Sequence, residues 1–221
     1  MKWSRELKIA RRSMRTAIKA ASAMAKAQVK LPEPLRFTPW SLPGSMSAGA
    51  GPAEIADFGS NPGRLSMFVH SPACSLLPSA PLIVLLHGCG QTAAAFARDT
   101  GWVSLSDRLG IPLVLPEQSG DNNHGRCFNW FRPGHTSRGN GEALSIRQMV
   151  AKAAERFGSD PGRVFITGLS AGGAMTAAML AAYPDVFAAG AVVAGLPVGA
   201  ATNTTEALAR MAEAGPARWC R

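Results

Sequence analysis

The chain has 221 residues, 47% hydrophobic and 17% charged, with a formal net charge of +9. That length can bury one sizeable core, the composition is globular, and no apolar run approaches the roughly 18–20 residues of a membrane-spanning helix. The charge does not mark a nucleic-acid binder, because residues 1–36 hold 10 basic and 2 acidic side chains while the rest of the chain carries only +1 (13 basic, 12 acidic).

Residues 1–30 are expected to form a basic helix rich in alanine and methionine. Trp3, Leu7, Met14 and Ile18 share one face of it, as in an amphipathic surface helix. Lys and Arg interrupt every candidate apolar core before it reaches the usual ~7–15 residues of a secretory signal. The segment is either a solvated extension or a contact with an anionic membrane or a hydrophobic polymer granule. Residues 31–62 are rich in Pro, Gly, Ser and Ala, which discourages helix and strand alike and predicts a surface linker.

The third segment, 63–221, alternates. Strands are predicted at Arg64–His70, at the strongly apolar Pro81–His87, at Ile111–Pro116, at Val164–Leu169 and at Ala188–Gly195. Between them, helices are predicted over Thr92–Leu109, interruptible at Gly101, and over Glu142–Phe157, where Ile146, Met149, Val150 and Ala153 keep helical spacing. Further helices are predicted at Ala171–Ala182 and Glu206–Ala214. A polar, glycine-rich loop spans Glu117–Asn140. Alternation of this kind implies an α/β protein with a mostly parallel sheet and helices on both faces.

Gly168-Leu-Ser-Ala-Gly172 fits G-x-S-x-G between a strand and a helix. The turn is so tight that the neighbours two residues from the serine must be small, and it lifts a nucleophilic Ser170 above the sheet. His87-Gly-Cys-Gly90 ends the strongest strand and suits a loop that gives a backbone N–H to an oxyanion. By position the two donors are Cys89 and Ala171. His87 itself reads as packed and hydrogen-bonded under that loop. Arg126-Cys-Phe-Asn-Trp-Phe131 brings three aromatics into four residues. These either line an acyl-binding cleft, with Trp130 and Phe128 touching substrate, or plug the end of the core. Asn203-Thr-Thr205 matches a glycosylation sequon, but a helix N-cap ahead of Glu206 explains it as well. Cys89 and Cys127 could meet at one rim, whereas Cys74 and Cys220 have no evident partner. Nothing in the sequence looks like a zinc site, a phosphate loop or a dinucleotide fingerprint, so no cofactor or metal is expected.

Taken in order and spacing, HGCGQTAAAF, RCFNWF, RGNGEALSIRQMV, DPGRVFITGLSAGGAMTAAML and AGLP resemble the short-chain polyhydroxyalkanoate (polyhydroxybutyrate) depolymerase family over about residues 60–215. Related acetylxylan and feruloyl esterases share the pattern. The resemblance implies an α/β-hydrolase fold, a Ser-Asp-His triad in that chain order, secretion, and a Cys89–Cys127 disulfide beside the oxyanion hole. It carries Ser170 as nucleophile and Cys89 and Ala171 as oxyanion donors. The family places its acid and base after the strand ending near Gly195, yet all four histidines, at 70, 87, 124 and 135, precede Ser170. The chain is therefore expected to be the N-terminal two-thirds of such an esterase, without its C-terminal strands. Three functions stay open: a serine esterase acting on hydroxyalkanoate esters, a carbohydrate esterase removing acetyl or feruloyl groups, and an inactive remnant that binds a hydrophobic surface.

Overall fold

The computed structural model describes residues 51–74, 76 and 78–212. The basic leader 1–30, most of the 31–62 linker and Cys220 lie outside them. The strands are β1 (Ala53–Ile55), β2 (Ser66–His70), β3 (Leu82–Leu86), β4 (Leu113–Glu117), β5 (Val164–Leu169) and β6 (Ala189–Val193). They form a sheet in the order β1-β2-β4-β3-β5-β6. The helices are α1 (Ala93–Asp99), α2 (Trp102–Leu109), α3 (Pro133–Thr136), α4 (Gly141–Phe157), α5 (Ala171–Ala182) and α6 (Thr204–Ala212).

The strong apolar run of β3 is explained by its place. Leu82, Val84 and Leu86 face a core shared with Ile146 and Met149 of α4 and Met175 and Met179 of α5. Leu85, between them, faces the opposite side with Ala93, Phe96 and Ala97 of α1. A strand covered on both faces alternates nothing, so it reads as continuously hydrophobic. Helices thus cover both faces of the sheet, as expected.

The sheet is mostly parallel, as expected: β3 pairs parallel with β4 and β5, and β5 with β6, while at one side β2 runs antiparallel to β4 and β1 antiparallel to β2. The ten residues between β1 and β2 hold no helix, and a parallel return needs a crossover of about a dozen residues or more. The linker 31–62 is corrected: it is not free of strand, since β1 lies inside it. Pairing with β2 supplies the hydrogen bonds that its composition does not favour, while Ile55 and Phe58 pack on the core.

The helix expected over 92–109 is two helices. Thr92 caps the first, its hydroxyl accepting from the Ala95 N–H at 3.3 Å, and Gly101 at φ +80° turns the chain into the second. The 117–140 loop contains one short helix, α3, opened by a proline in its first turn. Asn203 caps α6, its side chain accepting from the Glu206 N–H at 3.0 Å, which supports the N-cap reading of the sequon. Among the described residues no strand pairs beyond β6, whose five residues are all exposed.

Candidate active site

Strand order reverses at β3. The chain leaves β3 for β4 on one side and returns to place β5 on the other. Ligands of open α/β sheets bind outside the carboxyl ends of strands at such a switch point. The register Leu86↔Gly168 brings the ends of β3 and β5 level, so His87–Gly90 and Gly168–Gly172 emerge side by side.

Ser170 occupies the apex between β5 and α5 with φ +55° and ψ −116°, a conformation an L-residue holds only under constraint. Its N–H donates to the Val193 carbonyl at 2.9 Å and its carbonyl accepts from the Ala174 N–H at 2.9 Å. The flanking glycines are steric necessities. A Cβ on Gly168 would collide with the Gly172 carbonyl, and one on Gly172 would collide with the Leu86 and His87 carbonyls. Ala171 opens the helix and is buried, and N–H groups of a first helical turn have no intrahelical partner.

On the other wall, Gly88 packs against the elbow: a Cβ there would stand 3.7 Å from the Ser170 Cβ. The Gly88 N–H donates to Gln91 Oε1 (2.8 Å), the Gly90 N–H to Gly125 O (2.9 Å) and the Gln91 N–H to Gly88 O (3.3 Å). Among the described residues no acceptor engages the Cys89 N–H between them. The Cys89 side chain forms a disulfide with Cys127, the pairing the family resemblance implies, with Cα atoms 4.2 Å apart. Cys74 is free and exposed.

The histidines occupy other posts. The Gln118 N–H donates to His87 Nε2 at 3.1 Å, so the proton sits on Nδ1 and is donated to Gly88 O at 2.7 Å. Burial pushes His87 below its ordinary 6.5, against an opposing pull from that Gly88 bond. His70 Nε2 bonds Asp107 Oδ1 at 2.8 Å. His135 Nδ1 stands 3.3 Å from Glu142 Oε1, near enough for charge pairing although the angle makes no hydrogen bond. His124 is exposed on the rim of a groove.

The aromatic cluster divides between the two roles left open for it. Phe128, expected at the substrate, is corrected: it has no exposed surface and packs on the His87 ring, centroids 4.9 Å apart. Trp130 lines a cavity of about 160 Å³ together with Ser170, Ala171, Ala174, Ala194, Leu196, Arg210 and Met211. Trp130 and Met211 also border a groove of about 350 Å³ that includes Phe131, Ala207 and Leu208. Phe131 meets Trp130 edge to face at 5.5 Å.

The sequence reading missed two features. Glu142, in the first turn of α4, is fully buried. It accepts from Gln118 Nε2 (2.7 Å), the Asn129 N–H (2.9 Å) and Asn129 Nδ2 (2.6 Å), tying the aromatic loop to the core. Arg210 and Met211 of α6 were also missed as walls of the cavity. An acidic residue near a helix start reads as an ordinary charge at the positive end of the dipole, so no signal marked the first.

A switch-point cleft with a strained serine elbow on a sheet covered by helices defines an α/β-hydrolase. The chain belongs to the Esterase PHB depolymerase family, whose pattern matches residues 65–217. It is 48% identical over 169 residues to poly(3-hydroxyalkanoate) depolymerase C of Paucimonas lemoignei, an alignment covering 75% of this chain and 40% of that protein. It is 36% identical over 160 residues to feruloyl esterase B of Talaromyces funiculosus, covering 72% and 43%. Among solved structures, the acetyl xylan esterase from Aspergillus awamori superposes with a TM-score of 0.64 at 29% identity, over 71% of this chain and 56% of that one. The chain thus spans less than half the length of the two curated relatives.

Proposed function

We propose that this chain carries the nucleophile-bearing part of a serine esterase that cleaves ester bonds of short-chain polyhydroxyalkanoates. The observation that carries the reading is Ser170 itself, strained at the apex of the elbow, open to a cavity beside Trp130 and packed against the Gly88 loop. Ser170 Oγ attacks the ester carbonyl carbon and gives its proton to a base. The Cys89 and Ala171 N–H groups donate to the resulting oxyanion. The alcohol departs with a proton, leaving the acyl group on Oγ, and water then releases the carboxylic acid. None of the chain's four histidines lines the cavity of Ser170.

The 48% identity to a poly(3-hydroxyalkanoate) depolymerase supports the polyester substrate. A carbohydrate esterase is the second reading, favoured by the feruloyl and acetyl xylan esterase relatives and by the Trp130, Leu196 and Met211 walls of the cavity, which suit those acyl groups too. The Cys89–Cys127 disulfide supports an oxidising, extracellular setting. Contact of residues 1–30 with a polymer granule or membrane surface rests on their charge and periodicity alone.

The test is to incubate the chain with p-nitrophenyl butyrate and map the acyl group by peptide mass spectrometry. A butyryl ester on Ser170, absent from Ser170→Ala, is expected. An adduct on another residue, or one that persists in Ser170→Ala, refutes the nucleophile. Acetyl and feruloyl p-nitrophenyl esters in the same assay rank the two substrate readings.

A further inference from the structure

Arg210 is half-buried and lines the cavity of Ser170. Among the described residues it has no carboxylate within ion-pair distance, whereas Arg138 is held at both nitrogens by Asp185 and Lys152 pairs with Glu155. The last turn of a helix favours a cation facing the negative end of the dipole, which accounts for a basic residue on this turn of α6. It does not account for a guanidinium on the wall of a nucleophile's cavity.

The surroundings select the ligand. Among the described residues no Asp or Glu lines this cavity or the adjoining groove, and the groove has a cation of its own, Arg132. Outside residues 1–36 the chain carries only +1, so this concentration of positive charge is local and not a property of the whole surface. The remaining walls of the cavity are alanine, leucine, methionine and tryptophan apart from the serine itself, and charge pairing strengthens where apolar walls displace water. A planar guanidinium matches a planar carboxylate with two parallel N–H bonds.

We propose that Arg210 binds a free carboxylate of the substrate, so that the site takes short hydroxy-acid oligomers by their carboxylate-bearing end in preference to neutral esters. This rests on the esterase reading of Ser170. In a cavity of about 160 Å³ the carboxylate and the scissile carbonyl belong to the same or neighbouring repeats. Such a site makes the chain a reader of oligomer ends, the products of a reaction that first breaks polymer into short acids.

Calorimetry on the full chain carrying Ser170→Ala, which consumes neither ligand, compares the linear dimer of 3-hydroxybutyrate with its methyl ester. The acid is expected to bind about tenfold more tightly at low salt. Added salt should narrow the gap. Adding Arg210→Met should level the two ligands while keeping affinity for the methyl ester, which also shows that this variant is folded. Equal affinities without the Arg210 change, or a preference for the acid that survives Arg210→Met, overturn the carboxylate site and leave the esterase reading standing. Binding of neither ligand overturns both.

Discussion

At the scale of single residues, the site depends on close approach. Gly172 lies so near the Leu86 and His87 carbonyls that a methyl group there forces apart the two chain segments forming the cleft. Gly172→Ala is expected to destabilise the fold by about 3 kcal/mol, read as a fall in urea midpoint; an unchanged midpoint would mean the β3 and β5 ends are not so tightly apposed. His87 gives a signed pH effect. Its folded-state value is held below the ordinary 6.5 by burial, so above 6.5 it is neutral whether the chain is folded or not. As pH falls through 6.5 the unfolded chain gains a proton that the folded chain refuses, and stability drops until the folded value is reached. His87→Asn, which can still donate to Gly88 O, should flatten that part of the curve of melting temperature against pH. Equal slopes in both proteins would show that His87 titrates freely.

At the scale of elements, the aromatic loop is set by one carboxylate. Glu142→Ala leaves the Asn129 N–H and Asn129 Nδ2 without their acceptor in a buried place, and Gln118 Nε2 with only its longer bond to the Cys127 carbonyl at 3.3 Å. A loss of about 3 kcal/mol or more is expected, with Trp130 fluorescence shifting as its loop loosens. A variant that melts like the parent would mean that the disulfide alone holds the loop. The same elements show what could be read in the sequence. Leu82–Leu86 was legible because a strand covered on both faces has nothing to alternate, and the elbow was legible because sterics allow so few residues around Ser170. The antiparallel direction of β2 was not, since direction follows from where a strand is paired and its sequence would serve either way. Nor could three neighbouring aromatics be told apart. Whether Phe128 turns onto His87 while Trp130 faces the cavity depends on how Asn129 is held by Glu142, a contact 13 residues away.

At the scale of the whole molecule, α6 lines the cavity of Ser170 through Arg210 and Met211, while among the described residues no strand pairs with the outer side of β6. Val192 and Val193 are 45% and 50% exposed, and no Lys, Pro or charge in Ala189–Val193 blunts pairing with another chain. The chain is expected to self-associate, so light scattering on a size-exclusion column should find species larger than one chain; a clean monomer with a cooperative melt would refute this. The central claim is that Ser170 is an esterase nucleophile that none of the four histidines serves as base. Steady-state release of p-nitrophenol from p-nitrophenyl butyrate tests it most directly. Losing the histidine of a serine triad costs on the order of 10⁶ in kcat in subtilisin. The predicted result is turnover far below the ordinary enzyme range of about 1–10³ per second, with the small residual rate left to the oxyanion hole and binding. Turnover within that range would contradict it.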